Sequence, residues 1–354
     1  MQKCKRVLVA PLNWGLGHAT RCMPVIRHLL EQGHEVLLAS DGEALKLLSE
    51  EFPGCRNFEL PAYSPRYTES NSLVPVIARQ LPKFRSAIRD EHEQLAGLID
   101  KENIHAVISD NRYGAWSDKI PSALIIHQLN LLMPAPVRWI SPVVNALHRR
   151  LMRRFKFIWV PDTEDSALTG KLSATPQIEN VRFIGPLSRL MPPVDFSYRY
   201  DLVAVLSGPE PQRSLLEQIL REQLPESGLA WRLVRGVVKD NSTEDGQAAI
   251  LDYLPAYKLN KLINETAVVL ARSGYSTIMD LYKLGKKAIL IPTPGQPEQE
   301  YLATQAMEKG YAVSMHQHVL SVKSAFAQAK NISGFPAGEF ATSRLPAVVE
   351  ELLQ

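Results

Sequence analysis

Cysteine is scarce in this chain of 354 residues: Cys4, Cys22 and Cys55 form no CxxC pair and have no histidine pair beside them. That argues against a disulfide framework or a structural zinc site and points to a reduced, cytoplasmic compartment. Long apolar runs are missing as well. The longest uncharged stretch, 120–137, is broken by His127, Gln128, Asn130 and three prolines, which would leave polar groups unpaired in lipid, so no transmembrane helix is expected. The start, MQKCKRVLVAPLNWGLGHATR, puts basic residues before an apolar run. That run stops at Pro11 and Asn13 without a small-residue cleavage site, which predicts a buried first strand and not a secretion signal. There is no internal repeat and no low-complexity tract. With 45% hydrophobic and 22% charged residues, collagen-like, coiled-coil and wholly disordered chains are excluded.

One absence is local. Between Lys119 and Pro161 there is no Asp or Glu, while Lys119, Arg138, Arg149, Arg150, Arg153, Arg154 and Lys156 supply seven positive charges. They lie inside a chain whose 40 Lys+Arg and 37 Asp+Glu leave a net charge of only +3. Over residues 138–156 the arginines alternate with Trp139, Ile140, Val143, Val144, Leu147, Leu151 and Met152. That mixture suits a helix lying against an anionic membrane, or a buried helix with a solvated basic face. No recognised nucleic-acid module accompanies the charges, so nucleic acid is not an expected partner.

A single hydrophobic core stops growing at roughly 250–300 residues, which favours two domains here. Short β-rich runs alternate with helical-period stretches: Arg6–Pro11, a helix through Met23, Ile26, Leu29 and Leu30, Glu35–Ser40, Ala106–Ser109 and Ala123–Ile126. Strands at Phe157–Val160 and Val181–Ile184 lead to a proline-rich linker near 185–200. A second series follows, with strands Leu202–Leu206, Trp231–Arg235, Ala267–Ala271 and Ala288–Ile291, the helix Gln212–Leu224 and a closing helix Ser343–Leu353. Alternation of this kind marks βαβ units, hence an α/β fold of two doubly wound, Rossmann-like domains. The expected division is 1–190, 191–340 and the closing helix 341–354.

Open α/β sheets bind ligands beyond the carboxyl ends of their strands, and those loops hold the unusual residues. In NWGLGHATR, Gly15 and Gly17 permit close backbone approach and His18 stands at a helix start with Thr20 available as a cap. A helix N-terminus disfavours the charged imidazole, and a neutral histidine can take a proton from a hydroxyl. The alternative is a tight turn with a capping histidine. A nicotinamide site would want a third glycine where Thr20 stands. Asp110, in SDNRYG, can take a proton or orient the imidazole, or form an Asx turn with Asn111.

In the second half, Arg272, Ser273 and Gly274 follow a strand, and Ser276 and Thr277 open a helix, a terminus suited to phosphate oxygens. Asp280, a turn further on, can accept from a ribose diol, or complement the helix dipole while Ser276 caps. The loop of Pro292, Pro294, Gly295, Gln296, Pro297, Glu298, Gln299 and Glu300 carries polar groups suited to reading sugar hydroxyls. His316 and His318 lack a further ligand for a metal, and Trp139, Trp159 and Trp231 are expected to be packing residues.

RSG, an acid eight residues after the arginine, a strand, a proline-rich loop and a Gln/Glu pair before a helix resemble the donor-nucleotide domain of MurG-like glycosyltransferases of the GT-B fold. GLGHATR is similar to the glycine-rich acceptor loop of that family, and HQLN (His127 to Asn130) to its HEQN-type loop. The likeness is greatest to the bacterial predicted-glycosyltransferase branch. It implies two Rossmann-like domains facing a cleft, a UDP-sugar held by the C-terminal domain and an acceptor held by the N-terminal one. It further implies inversion at the anomeric carbon, with no cofactor or metal beyond the co-substrate.

Carried over, Ser273, Gly274, Ser276 and Thr277 would face the diphosphate, with Ser207 and Gly208 as a second phosphate-side loop and Arg272 adding positive charge. Asp280 would take the ribose, Leu254 the uracil edge, and Gln296, Gln299 and Glu300 the donor sugar. His18 would be the base with Asp110 as second candidate. Gly15, Gly17, Asn111, Arg112, His127, Gln128 and Asn130 would line the acceptor. Three departures stand out: Asp280 replaces the usual Glu, Glu300 replaces a second Gln, and SGPEPQR replaces a Gly-Gly-Ser type turn. No Asp-x-Asp clamp for a metal occurs in the sequence. The implied activity is transfer of a hexose or N-acetylhexosamine to a lipid-linked or cell-envelope glycan at the inner face of the membrane. A UDP-sugar epimerase or hydrolase, or a non-catalytic sugar-nucleotide-binding subunit, would share many of these features.

Overall fold

The computed structural model describes residues 4–63, 74–133, 135–165, 168–174, 178–192, 197–237, 249–336 and 344–354. The chain forms two compact units, one built from described residues of 4–63, 74–187 and 344–354, the other from those of 188–336.

The first unit runs β1 (Arg6–Pro11), α1 (Leu16–Glu31), β2 (Glu35–Ser40), α2 (Gly42–Glu51), β3 (Arg56–Glu59), α3 (Val74–Glu102), β4 (Ala106–Asp110), β5 (Ser122–Ile125), α4 (Ser141–Met152), β6 (Phe157–Val160) and β7 (Val181–Phe183). Its seven strands are all parallel, in the order β3-β2-β1-β4-β5-β6-β7. β1, β4 and β5 are nearly continuous apolar runs because helices cover both faces of a parallel sheet. Leu8, Ala10, Leu37, Leu95 and Val107 form one side of the core.

The second unit runs β8 (Tyr200–Val205), α5 (Gln212–Gln223), β9 (Trp231–Val234), β10 (Ile250–Leu251), α6 (Ala256–Asn264), β11 (Thr266–Ala271), α7 (Tyr275–Leu284), β12 (Lys287–Leu290), α8 (Pro297–Glu308), β13 (Ala312–Ser314) and α9 (Val322–Ala329). The strand order is β10-β9-β8-β11-β12-β13, again parallel. Leu202, Leu216, Leu270, Ile289 and Phe326 centre its core. The last helix, α10 (Leu345–Leu353), returns to the first unit, where it packs on α1 and Glu351 pairs with Arg182 at 2.6 Å. The expected start of this helix at Ser343 lies outside the described residues.

In each parallel sheet the order of strand addition reverses between two adjacent strands, β1 and β4 in one and β8 and β11 in the other. At such a switch point the loops diverge to opposite faces and leave a crevice at the strand ends. Pro11 lies opposite Asp110 in the β1–β4 register, and the Leu12 amide donates to the Asp110 carbonyl at 2.9 Å. The loop after β1 and the last residue of β4 are thereby held together.

Candidate functional site

Gly15 ends the loop after β1 at φ +80°, a region that favours glycine, and α1 begins at once with Leu16. His18 therefore lies inside the first turn. Thr20 does not cap the helix, since its hydroxyl donates to the Gly17 carbonyl at 3.0 Å. From here α1 presents His18, Arg21 and Cys22 on one face, because residues three and four apart share a face of an α-helix. That face meets the end of β4. His18 Nδ1 lies 2.8 Å from Asp110 Oδ1, and Arg21 grips both carboxylate oxygens through Nε and Nη2. The Cys22 thiol donates to Asp110 Oδ2 at 3.6 Å, and Arg21 Nη1 lies 2.9 Å from His127 Nδ1.

The Asp110 side chain is shut off from water, that of Arg21 is 2% exposed and that of His18 is 15% exposed. Burial pushes the Asp110 carboxyl up, but Arg21 and His18 outweigh it and bring it down to about 2. An ionised carboxylate only accepts, so the proton between it and His18 belongs on Nδ1. The Nε2 lone pair of His18 is then the one suited to receiving a proton. Asp110 is saturated by donors, and its place in the cluster is to orient the imidazole; as an independent base it is poorly placed. Burial, followed by the charge of Asp110, raises the Cys22 thiol well above its ordinary value, so it stays neutral.

Other acceptor-side expectations divide. Asn111 follows β4 at φ +56°, and its Oδ1 is buried without a hydrogen-bond partner among the described residues. Gly15 is exposed, while Gly17 and Gln128 are half-buried. Two residues are corrected. Arg112 is fully buried, paired with Glu91 and with Asp41 at 2.7 Å, and donates to the Pro61 carbonyl; it stitches α2, α3 and β4 together and does not reach a ligand. Asn130 donates from Nδ2 to the Ala174 carbonyl at 2.7 Å and the Lys171 carbonyl at 3.2 Å, so its amide holds a neighbouring turn.

In the second unit α7 begins at Tyr275 with Gly274 as its N-cap, so Ser276 and Thr277 occupy the first turn and Ser276 is not the cap. The first amides of a helix have no acceptor within it and carry the positive end of the dipole. Ser207 and Gly208 are exposed on the loop after β8, with Gly208 at φ +102°. A Cβ placed there would lie 3.9 Å from the Thr293 hydroxyl, which is buried and unpartnered among the described residues. Leu254 is buried in the turn before α6, and Glu300 is exposed on α8.

Several donor-side residues spend their side-chain hydrogen bonds internally. The Arg272 guanidinium is buried and donates to the carbonyls of Gln212, Ile291 and Pro292 and to Gln317 Oε1. Burial brings it down to about 10, and four of its five donors tie neighbouring loops together. The Ser273 hydroxyl donates to the Gln299 carbonyl at 2.8 Å. Gln299 accepts from the Thr293 amide at 2.9 Å and donates to Gln296 Oε1 at 2.6 Å. Both side chains thus shape the loop from within. Trp139 is exposed where packing was expected, whereas Trp159 is buried. His316 and His318 stack at 5.8 Å on the surface, and no group of metal-ligating side chains occurs among the described residues.

Asp280 accepts from the Ser188 hydroxyl. Burial raises its carboxyl to about 6, although Arg189 and Ser188 pull the other way. Arg189 went unnoticed in the sequence. Its Nε and Nη1 are buried and unpartnered among the described residues, an unusual state for a group with five donors. Arg21 and Cys22 were missed too, although their spacing from His18 in HATRC places all three on one helical face.

Residues 233–345 match the glycosyltransferase family 28 C-terminal domain. That span holds α7, Asp280 and the proline-rich loop. Over 327 residues the chain is 24% identical to an uncharacterized glycosyltransferase of Methanosarcina acetivorans, covering 86% of this chain and 84% of that one. Among solved structures it superposes on the glycotransferase of kitacinnamycin with a TM-score of 0.61 and 17% identity, covering 99% and 95% of the two chains. It superposes on MurG of Acinetobacter baumannii with a TM-score of 0.57 and 12% identity, over 98% and 99%. The fold is GT-B. The family match and the sequence relatives support a glycosyltransferase of the family 28, GT-B type, and the likeness to MurG is one of fold.

Proposed function

We propose that the protein is an inverting, metal-independent glycosyltransferase that moves a hexose or N-acetylhexosamine from a UDP-sugar to a lipid-linked or cell-envelope glycan. The observation that carries this reading is His18, held by the ionised Asp110 with its Nε2 lone pair available. The acceptor hydroxyl gives its proton to that nitrogen while its oxygen bonds to the anomeric carbon from the face opposite the diphosphate. The anomeric C–O bond breaks and its electron pair leaves with the diphosphate. A single displacement of this kind inverts the centre.

Negative charge then builds on the diphosphate. The first turn of α7, with Ser276 and Thr277, and Arg189, whose Nε and Nη1 have no hydrogen-bond partner among the described residues, supply the electrostatic support first assigned to Arg272. Asp280 takes the ribose, and the loop shaped by Gln296 and Gln299 frames the sugar, with Glu300 facing solvent on α8.

The lipid-linked acceptor is supported by α4. Asn145, His148 and Met152 face inward, Asn145 bonding to both backbone groups of Leu131 and His148 to the Tyr113 hydroxyl at 2.8 Å. Outward lie Trp139 (80% exposed), Val143 (73%) and Leu147 (56%), four residues apart, beside the exposed Arg138, Arg150, Arg153, Arg154 and Lys156. Of these cations Lys156 lies in the field of the Glu351 carboxylate and Arg154 stacks over Trp116. An apolar ridge fringed by cations suits peripheral contact with an anionic membrane. No helix among the described residues is long and apolar enough to cross one.

Thermal melting against a panel of UDP-, GDP- and dTDP-sugars tests the donor, because a ligand of the folded state raises the midpoint by mass action. Stabilisation by UDP-sugars above the others is expected, followed by transfer to a polyprenyl-linked sugar acceptor. Rapid conversion of the UDP-sugar with no acceptor present would replace this reading by an epimerase or hydrolase.

A further inference from the structure

We propose that Arg21 is a positioning residue that fixes two histidines in opposite tautomers, His18 with its proton on Nδ1 and His127 with its proton on Nε2. The inference rests on the reading of His18 as the base and adds a group that no sequence motif assigned.

A guanidinium donates and never accepts. With Nη1 of Arg21 at 2.9 Å, Nδ1 of His127 must present its lone pair, which leaves the proton of that ring on Nε2. With Nε and Nη2 of Arg21 on the two oxygens of Asp110, the plane of the carboxylate is fixed and Oδ1 accepts from His18 Nδ1. Arg21 Nη2 also lies 3.1 Å from that same Nδ1, but both groups are donors there, and the contact is two donors sharing Oδ1. One planar group thus leaves His18 with its lone pair on Nε2 and His127 with its N–H on Nε2. Lysine offers a point charge and cannot impose both.

The charges around the pair balance. Arg21, His18 and the Cys22 thiol come from α1, Asp110 from the end of β4, Tyr113 from the turn beyond it, and His127 from the segment after β5. Without Arg21 the Asp110 carboxylate loses the two donors that set its plane, and with them the fixed orientation of His18.

Long-range proton–nitrogen NMR on protein labelled with ¹⁵N-histidine reads both tautomers without any substrate, so the outcome does not depend on the transferase reading. Signals are assigned with His18→Gln and His127→Gln. At pH 7.5 the expected result is Nδ1–H for His18 and Nε2–H for His127, with His127 relaxing to a mixture in Arg21→Lys. Finding Nδ1–H on His127, or both tautomers unchanged in Arg21→Lys, overturns the proposal. Should Arg21→Lys not fold, Arg21→Met combined with Asp110→Asn removes both buried charges together. Loss of the fixed His127 tautomer in that variant supports the role of Arg21, and its retention refutes it. In the transfer assay Arg21→Lys should lower kcat roughly 100-fold, the scale of a misplaced reacting group, with acceptor KM little changed. A rise in KM with kcat unchanged counts against positioning.

Discussion

Arg21 and Asp110 form a two-pronged ion pair in which neither side chain reaches water, and His18 hangs from one oxygen of that pair. A buried pair is weak evidence for stability, because desolvation cancels much of the attraction, yet breaking one is costly. Its value here is geometric: it fixes the carboxylate that fixes the imidazole.

Replacing His18 by Ala should lower turnover by about 10²–10⁴-fold, the range for loss of a general base. The side chain is partly exposed, so the melting temperature should move little. Radiolabelled transfer and thermal melting check the two halves, and near-normal transfer would sink the assignment.

Asp110→Asn removes the carboxylate and strands a buried guanidinium, at a cost of about 3–5 kcal/mol. In the wild type the carboxyl lies at about 2, below its ordinary 3.8, so its contribution is present above pH 4 and lost as the pH falls through 2. The shift corresponds to about 2 kcal/mol. Urea titrations at pH 7 and pH 3 should therefore show a smaller gap between wild type and variant at the lower pH.

Asp280 works in the opposite sense. A carboxyl raised to about 6 favours the folded state below pH 4 and withdraws that stability as the pH rises through 6. Asp280→Asn should accordingly make the ligand-free protein more stable at pH 7 while weakening nucleotide binding. Denaturant melts paired with calorimetric titration of UDP would show whether the two effects part company.

For Arg189, truncation to Ala should weaken UDP binding by about 10–100-fold, since a charge-assisted hydrogen bond is worth about 1.5–3 kcal/mol. Removing a group with no partner on Nε and Nη1 should cost little stability. Arg272→Met should do the reverse, losing ties to three carbonyls and Gln317 and lowering the melting temperature sharply. If Arg272→Met were as stable as the wild type, the internal role given to Arg272 would be wrong.

Sedimentation with vesicles containing phosphatidylglycerol should carry the protein down at low salt and release it at high salt. Trp139→Ser with Leu147→Ser should abolish binding while leaving the fold intact, because both side chains point outward. Absence of binding at low salt removes the membrane reading of α4.

Much of this protein was legible as pattern. Fully apolar strands such as VLVA, separated by helical-period segments, dictate a parallel sheet covered on both faces, and two such series dictate two sheets. The loops that matter were also readable, because a doubly wound sheet places ligands at its strand ends and GLGH, RSG and the proline-rich segment stand there.

What the sequence cannot show is how each side chain spends its hydrogen bonds. Arg272, Ser273, Gln299, Arg112 and Asn130 are the residue types that ligand binding requires, and tertiary packing turned each of them inward, onto carbonyls or carboxylates or, for Gln299, onto the Thr293 amide. Arg189 and Asn111 show the converse: each is left with buried polar atoms that nothing among the described residues satisfies. The sequence by itself determined the two parallel sheets and the loops at their ends, since apolar periodicity is local information. Only the tertiary structure decided which groups in those loops are already partnered and which are left for a ligand, because the partners lie up to 106 residues away along the chain.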